Sequence, residues 1–536
     1  MSKVSTYLQG HITGEVLTRA DVRASLSRDS GVLERRPEMV IYPHNANDIR
    51  KLACFSSQLV AKGHILELTA RGDGTDTTGA SLGSGASIVL SRHMSRVLEF
   101  EPRQRLVRMH AGASIATLQN ILEIHGARIP TLPLDDSAGT IGGAIACDST
   151  GELAGCRTTI ASAVRQLEVV LDSGDVLQTG PISARAYRSI LGKPGRIGDI
   201  YRGVDTVLED HRATIADLRK AGVVDRSGYP GITQVQQKGG GVDLTPLFVG
   251  SQGTLGIITE VIMHADQSAV EPSISAATFT SADKARDAVA ELRSMPLAMI
   301  EYYDGELFAQ ALTQGNSYQW IDKPSSVQAL VVIASIAPKA RARSKNLKKA
   351  EKLLAKHGAH VYSSDDQSPE QLWALRSLVR YHQTPDTMTL IAPPVVGSLY
   401  IPFGRLEAFM GEYSALCQAL NVSAPLYGSI LSGSYTICPA MSLKKSSDKQ
   451  KLLKLIDQLT SLAVKHNGAL VGAGGEGRLL SPFVRAAWDE PYEKLTRDIK
   501  TVFDPHGIFN PGAKSHVDIK TLAREIRSDS YITSQR

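Results

Sequence analysis

Three short segments of this chain combine small residues with groups that can bind an anion. Arg71-Gly72-Asp73-Gly74-Thr75-Asp76-Thr77-Thr78-Gly79 follows an expected strand, Ile65 to Ala70; Thr140-Ile141-Gly142-Gly143 and Gly250-Ser251-Gln252-Gly253-Thr254-Leu255-Gly256 come later. Glycines let a backbone turn several N–H groups toward one point, and such a concave nest suits a pyrophosphate. Arg71 is expected to add a fixed positive charge at its mouth. Hydrogen bonds to charged oxygens contribute about 1.5–3 kcal/mol each, so about four would hold a dinucleotide without a covalent link. Adjacent Gly142 and Gly143 leave room for a bulky ring system against the backbone. These residues predict a bound cofactor.

A fourth cluster, Gly472-Ala473-Gly474-Gly475-Glu476-Gly477, fits GxGxxG after the apolar Ala469-Leu470-Val471. That is the pattern of a Rossmann phosphate loop. Pro482 stands where the phosphate-binding helix should run, and too little chain follows to complete such a sheet. Rossmann binding is not expected here. No GxxxxGK[ST] and no HExxH segment occurs.

The elements that must position these loops read as follows. Val40-Ile41-Tyr42 is a strand ended by Pro43, and Asn45 caps a helix with Ile49, Leu52, Ala53 and Leu59 on one face. A hairpin joins 97–101 to 106–110, and Ser114 caps a second amphipathic helix through Ile115, Leu118 and Leu122. Another hairpin joins 167–171 to 176–179 at Asp172-Ser173-Gly174-Asp175, and a helix is expected near 204–220. This order indicates α+β rather than a doubly wound sheet. Near residue 268 the composition shifts and a β-α-β pattern begins anew over 276–280, 282–293 and 298–302. At 536 residues the chain exceeds a single core. The reading divides it into an N-terminal extension 1–35, a cofactor-binding domain 36–267, a second domain 268–514 and a polar tail 515–536.

Lys and Arg exceed Asp and Glu by 59 to 54, a net charge of +5, which indicates neither nucleic acid nor an acidic partner. The basic stretches 339–356 and 444–454 carry apolar residues at helical spacing and read as solvated helix faces. The five cysteines, Cys54, Cys147, Cys156, Cys417 and Cys438, show no CxxC pairing. A disulfide framework or zinc knuckle is not expected, and a reducing, cytoplasmic setting fits best. No run of eighteen apolar residues occurs, so the expectation is a protein without a transmembrane segment, peripheral membrane contact being left open.

The motifs Arg71 to Gly79, Ala111-Gly112-Ala113, Thr140 to Gly143, Leu167 to Leu171 with its turn, Gly250 to Ile258, and Phe503-Asp504-Pro505 through Asn510-Pro511-Gly512 occur in that order. In them, from about Arg36 to Lys514, the chain resembles the FAD-linked oxidases of the vanillyl-alcohol oxidase superfamily. That group includes D-lactate dehydrogenase, the glycolate oxidase FAD subunit and D-2-hydroxyglutarate dehydrogenase. The resemblance implies a PCMH-type two-subdomain FAD-binding domain followed by a ferredoxin-like α+β substrate domain. It implies hydride transfer from a small 2-hydroxy acid to noncovalent FAD. Cofactor roles then fall on Arg71, Gly72, Asp73, Gly74, Thr75, Asp76, Pro133, Ser137, Thr140, Gly142, Gly143, Ala146, Ile258 and Asn510. Some relatives tether FAD through histidine or cysteine; the corresponding loop here has neither, although Cys147 and Cys156 follow it.

Metal-dependent members carry a Gly-His-x-Gly-Asp-Gly-Asn-x-His segment, where this chain reads Gly428 to Thr436 with Ser429 and Thr436 at the ligand positions. The family's Gly-Glu-His-Gly segment matches Gly475-Glu476-Gly477-Arg478. No metal ligand is therefore assigned. Arg376 matches an arginine that grips the substrate carboxylate, a surface salt bridge being the other reading, while Val396 replaces a family lysine. Arg376 and Glu476 are the catalytic candidates; Tyr435 and His382 are further proton acceptors, and Arg380 and Arg478 further anion clamps. Two other readings stand beside the hydroxy-acid dehydrogenase: a noncatalytic or assembly-type flavoprotein subunit, and a metal-independent oxidase of a sugar or aromatic alcohol. The electron acceptor and the oligomeric state leave no mark in the sequence.

Overall fold

Met39, Val40 and Ile41 form a strand apolar at every position, the mark of a parallel sheet covered on both faces. The computed structural model describes residues 3–132, 139–151, 153, 159–222, 224–267, 272–313, 318–337, 339–364, 366–379 and 394–528. The chain divides into two compact units, one of Met1–Ser149, Ile160–Gln267 and Ala469–Arg527, the other of Thr150–Thr159, Ser268–Gly468 and Ser528–Arg536. Both units mix helices with sheets.

In the first unit, β1 (Glu15–Leu17), β2 (Met39–Tyr42), β3 (Leu68–Arg71) and β4 (Ala86–Val89) form a sheet of order β1-β2-β4-β3. The strands β2, β4 and β3 are parallel, and β1 runs antiparallel on the edge. Helix α1 (Ala46–Val60) buries Ile49, Leu52 and Ala53, and its N-cap Asn45 accepts from the Asn47 and Asp48 N–H groups. A second, antiparallel sheet contains β5 (Val97–Glu101), β6 (Leu106–His110), β7 (Val164–Val170), β8 (Val176–Gln178) and β9 (Ile257–His264), in the order β5-β6-β9-β7-β8. The short helix α2 (Ile141–Ala146) lies in the same unit.

The second unit carries β10 (Ser273–Phe279), α3 (Ala282–Leu292), β11 (Met299–Asp304), β12 (Ala329–Ser335), α4 (Ala340–Lys356) and β13 (His360–Ser363). Their sheet order β13-β10-β12-β11, all antiparallel neighbours, is the ferredoxin-like βαββαβ arrangement. The strands β14 (Val396–Tyr400), β15 (Leu426–Ser429) and β16 (Ser434–Ile437) extend it beyond β11 in the order β15-β16-β14. Among the described residues, no helix is long and apolar enough to cross a membrane.

The structure departs from the sequence reading in four places. Residues 469–514, read as part of the second domain, belong to the first unit, where Phe509 bridges Leu68 and the Asn510 N–H donates to the Leu68 carbonyl at 2.9 Å. The stretch 1–35 is an integral part of that unit: it supplies β1, and Leu8, Val32 and Leu33 are buried. The tail is also packed as far as Arg527, with Glu34 N–H donating to the Glu525 carbonyl and Arg527 N–H to that of Val32. The helix expected near 204–220 is two helices, Arg196–Asp210 and Arg212–Ala221, meeting at His211.

Asp48 holds the amino-terminal segment in place. Its buried carboxylate accepts from the Thr13, Gly14 and His44 N–H groups at 2.8, 3.0 and 2.9 Å and from the Thr13 hydroxyl. Asp48→Ala leaves those buried donors unpaired, so it should lower stability by about 3 kcal/mol. A urea midpoint shifted downward, with residues 3–17 released early to limited proteolysis, is the expected result; an unchanged midpoint contradicts it.

Candidate functional site

Strand β3 delivers the chain to the first glycine loop at Arg71. Beyond it, the backbone N–H groups of Gly72 to Asp76 have no hydrogen-bond partner among the described residues. The loop's acceptors are meanwhile occupied on its other side. The Gly74 and Asp76 carbonyls accept from Ser30 N–H at 3.1 and 2.9 Å, and the Asp76 carboxylate accepts from Thr78 N–H, the Thr78 hydroxyl and Ala80 N–H at 3.2, 2.9 and 2.8 Å. Asp29 receives Gly31 N–H and Gly79 N–H, both at 2.9 Å. Successive donors without acceptors form an anion-binding concavity.

Arg71 does not stand at the mouth of this nest. Its guanidinium is buried, donates to the Arg28 carbonyl at 2.7 Å, and lies so close under Gly74 that a Cβ there would overlap it. The charges of Asp29, Asp76 and Asp73 favour its ionised form against the cost of burial. Its charge is met by Asp29, which lies outside the loop, and by the loop's own Asp76 and Asp73.

The second loop closes directly on the first. Thr140 caps α2 by accepting from Gly143 N–H at 3.2 Å, and Gly139 N–H donates to Asp73 Oδ2 at 3.1 Å. A Cβ on Gly72 would overlap the Thr140 side chain, so residue 72 must lack one. Gly142 N–H and Ile141 N–H donate to the Ala111 and Ala113 carbonyls at 2.7 and 2.9 Å, which seats the loop on the Ala111-Gly112-Ala113 turn. The third loop joins through Gln252: its N–H donates to the Ala146 carbonyl at 2.8 Å, and its Oε1 accepts from Gly477 N–H at 2.9 Å. Ile258 is buried near the start of β9. Thr75 and Gly142 border the same loops.

Asn510 and Arg478 fasten these loops together. The Asn510 amide nitrogen donates to the Ala80 and Gln252 carbonyls at 2.8 and 2.6 Å, while its oxygen accepts from Arg478 at 2.8 Å and from the Thr69 hydroxyl at 3.3 Å. Arg478, fully buried, also donates to the Gly79 and Pro511 carbonyls, each at 2.8 Å. The polar groups of the Asn510 amide are thus all engaged within the protein, and Arg478, read as a further anion clamp, spends its donors on the Gly79, Asn510 and Pro511 oxygens. Pro133, Ser137, Cys156, Arg380 and His382 lie outside the described residues.

Glu476 belongs to this unit and is also fully engaged. It accepts from Gly228 N–H at 2.9 Å and from the Lys514 ammonium at 2.5 Å, with both side chains buried. Burial raises its carboxyl and Lys514 opposes that rise. Both oxygens of this catalytic candidate are thus engaged by partners within the protein. At Gly477, with φ of +50°, a Cβ would overlap the Thr78 carbonyl and hydroxyl, so no side chain fits there. The half-buried Cys147 thiol is pushed up by burial first and by Asp76 next, away from the thiolate that would be needed for attack on carbon.

In the second unit, Arg376 is gripped by an internal carboxylate. Its Nε and Nη2 donate to Glu301 Oε2 and Oε1 at 2.8 and 3.4 Å, and the Tyr303 hydroxyl donates to Glu301 at 2.8 Å. Tyr303 stacks on Tyr427 with ring centroids 5.4 Å apart. The Tyr435 hydroxyl is buried with no hydrogen-bond partner among the described residues, and the Thr436 hydroxyl donates to the Gly397 carbonyl at 2.9 Å. Arg376 and Glu476 thus sit in different units, each with its own counter-ion. The sequence reading placed Thr78 and Gln252 in the glycine loops without an individual role, and it missed Asp29 and Lys514 as structural members of the site. Asp29-Ser30-Gly31 carries the signature of an Asx turn, which was the available signal for the first of them.

Comparison with known proteins adds the following. The family model described as FAD binding domain matches residues 37–180, and that described as FAD linked oxidases, C-terminal domain, matches residues 271–513. The D-2-hydroxyglutarate dehydrogenase of Pseudomonas putida is 26% identical over 528 residues, covering 93% of this chain and 50% of the relative, so the chain spans about half the length of that protein. The glycolate oxidase subunit GlcD of Bacillus subtilis is 22% identical, with 89% of this chain and 88% of the relative covered. Among solved structures, a 4-ethylphenol oxidase from Gulosibacter chungangensis superposes with a TM-score of 0.66 at 16% identity, covering 96% of both chains. That likeness shows a shared fold.

Two predictions follow from the cradle. Gly72→Val forces Thr140 away and should weaken flavin retention by about tenfold or more, since overpacking of this kind costs about 1–3 kcal/mol; an unchanged ratio of flavin to protein absorbance after dialysis contradicts this. Burial first, then Asp76, raises the Asp29 carboxyl from 3.8 to about 7. Between pH 4 and 7 the unfolded chain therefore loses this proton while the folded protein keeps it, and stability falls as pH rises through that window, then levels. Asp29→Asn should flatten that slope in urea titrations across the same range; an equally steep slope in the variant contradicts it.

Proposed function

Because the chain belongs to the FAD-linked oxidases, carrying both their FAD-binding domain and their C-terminal domain, we propose that it is an FAD-dependent oxidoreductase acting on the CH–OH group of a small 2-hydroxy acid. The observation that carries this reading is the donor-only nest at Gly72 to Asp76, closed by Thr140 and locked by Gln252 and Asn510. Those backbone groups would hold the pyrophosphate, and Thr140 to Gly143 would line the same cradle. FAD, when bound, supplies the acceptor for the substrate's hydride. The thiol at Cys147 is kept in its unreactive form, which supports noncovalent attachment. The likeness to a D-2-hydroxyglutarate dehydrogenase of Pseudomonas putida and a glycolate oxidase subunit of Bacillus subtilis supports a 2-hydroxy acid as the substrate class. Ser429, Thr436 and Gly477 offer no imidazole at the family's ligand positions, so the reaction is proposed to run without that metal site.

The carboxylate of such a substrate needs a cation. Glu301 already occupies Arg376 with the two-pronged geometry that a substrate carboxylate would use, so binding requires Glu301 to yield its place. This same pairing favours a second reading, in which the substrate is an uncharged sugar or aromatic alcohol and Arg376 is purely structural.

Anaerobic mixing of the purified protein with D-2-hydroxy acids and uncharged alcohols distinguishes the readings. Bleaching of the flavin band by a hydroxy acid is expected. Bleaching by uncharged alcohols alone supports the second reading, and none across the panel supports a noncatalytic flavoprotein subunit. Glu301→Gln weakens the internal competitor, so it should lower KM for the hydroxy acid by about tenfold while changing kcat by less than about twofold. A KM that does not fall contradicts the role given to Arg376.

A further inference from the structure

At the carboxyl edge of the first unit's parallel strands, three potential metal ligands meet that play no part in the flavin cradle. Glu15 opens β1, His44 follows the end of β2, and His93 lies in the turn after β4. We propose that Glu15, His44 and His93 form a binding site for a divalent cation of the zinc class.

The geometry is that of a site needing small side-chain adjustment. One donor atom from each residue lies within 4.8 Å of the others. His93 Nε2 is 3.3 Å from Glu15 Oε1, and the two imidazoles meet edge to face with centroids 4.2 Å apart at 71°. Zinc sits about 2.0–2.2 Å from nitrogen and oxygen donors, which places tetrahedral ligands about 3.3 Å apart. Rotations of about an ångström would close the gap. Two imidazoles with one carboxylate suit zinc, nickel or copper better than magnesium or calcium, whose preferred ligands are all oxygen. Glu15 and His93 are partly exposed and His44 is exposed, which leaves access for the ion and a position for water.

The surrounding structure fixes the backbone that carries these ligands. The buried Asp48 carboxylate accepts from Gly14 N–H and His44 N–H, one neighbouring Glu15 and the other on His44 itself. On the third side, Met94 N–H donates to the Leu90 carbonyl at 3.1 Å and Gly112 N–H to the Met94 carbonyl at 3.0 Å, which holds the turn containing His93. Supporting hydrogen bonds of this kind tune a metal site. A cation already stands against the cluster: Arg92 Nη2 lies 3.0 Å from Glu15 Oε1, with its guanidinium 4.6 Å over the Tyr42 ring. Metal entry would displace that guanidinium from Glu15. Arg92 is thus a built-in competitor, and its removal should strengthen binding. Occupation would tie the edge strand β1 to the ends of β2 and β4.

The test uses the full chain stripped with a chelator and titrated with Zn2+, with Co2+ as a spectroscopic probe. Uptake of one equivalent is expected, with visible Co2+ bands and a raised thermal midpoint. His44→Ala and His93→Ala should each weaken Zn2+ binding by about tenfold or more, while Arg92→Gln should tighten it severalfold; flavin content should stay unchanged in all three. Absence of stoichiometric uptake would overturn the proposal. So would uptake that is undiminished in the His44→Ala/His93→Ala double variant, which would place the ion elsewhere.

Discussion

A folded chain rarely leaves consecutive backbone N–H groups without acceptors, and among the described residues the segment after β3 does so at Gly72 to Asp76. Such donors are costly unless water or an anion meets them, and their spacing along one tight loop favours an anion with several oxygens. The surrounding loops keep that row of donors turned one way. Asp29 and the Asp76 carboxylate draw neighbouring N–H groups to the opposite side, Gly72 admits Thr140 against the chain, and Asn510 ties Ala80 to Gln252. Each contact is ordinary in strength, and together they leave the loop one shape.

Buried charge is the second theme. Arg71 faces the three aspartates of its own loop and neighbouring segment, Glu476 is paired with Lys514, and Arg376 with Glu301. Pairs of this kind contribute little net stability over an apolar substitute, but breaking one leaves an uncompensated charge at a cost of about 3–5 kcal/mol. They set orientation: Glu476 fixes the Gly228 segment, and Glu301 fixes the guanidinium in the second unit. Functional and structural uses of the same residue types are therefore separated by their partners.

Much of this was legible in local sequence. The strand at 40–42, which the structure begins one residue earlier, the Asn45 and Ser114 caps, the hairpins and the glycine loops follow from periodicity and turn chemistry acting over a few residues. What escaped involves partners far apart in the chain. Phe509 pairing with Leu68 returns the C-terminal segment to the first unit, and nothing near either residue announces it. Arg71, Glu476 and Arg376 read as available charges because Asp29, Lys514 and Glu301 are distant in sequence. The polar composition of residues 1–35 hid the few apolar side chains, Leu8, Val32 and Leu33, that anchor them. Gly477 read as a lost ligand, whereas packing against Thr78 makes glycine the residue that fits there.

The most direct measurement is the visible spectrum of the purified full chain before and after acid precipitation. The account predicts a flavin band near 450 nm that moves entirely into the supernatant as intact FAD, because the cradle is built from hydrogen-bond donors and not from a nucleophile. A chain purified without flavin that binds none when FAD is added, or colour that stays with the precipitated protein, would contradict it.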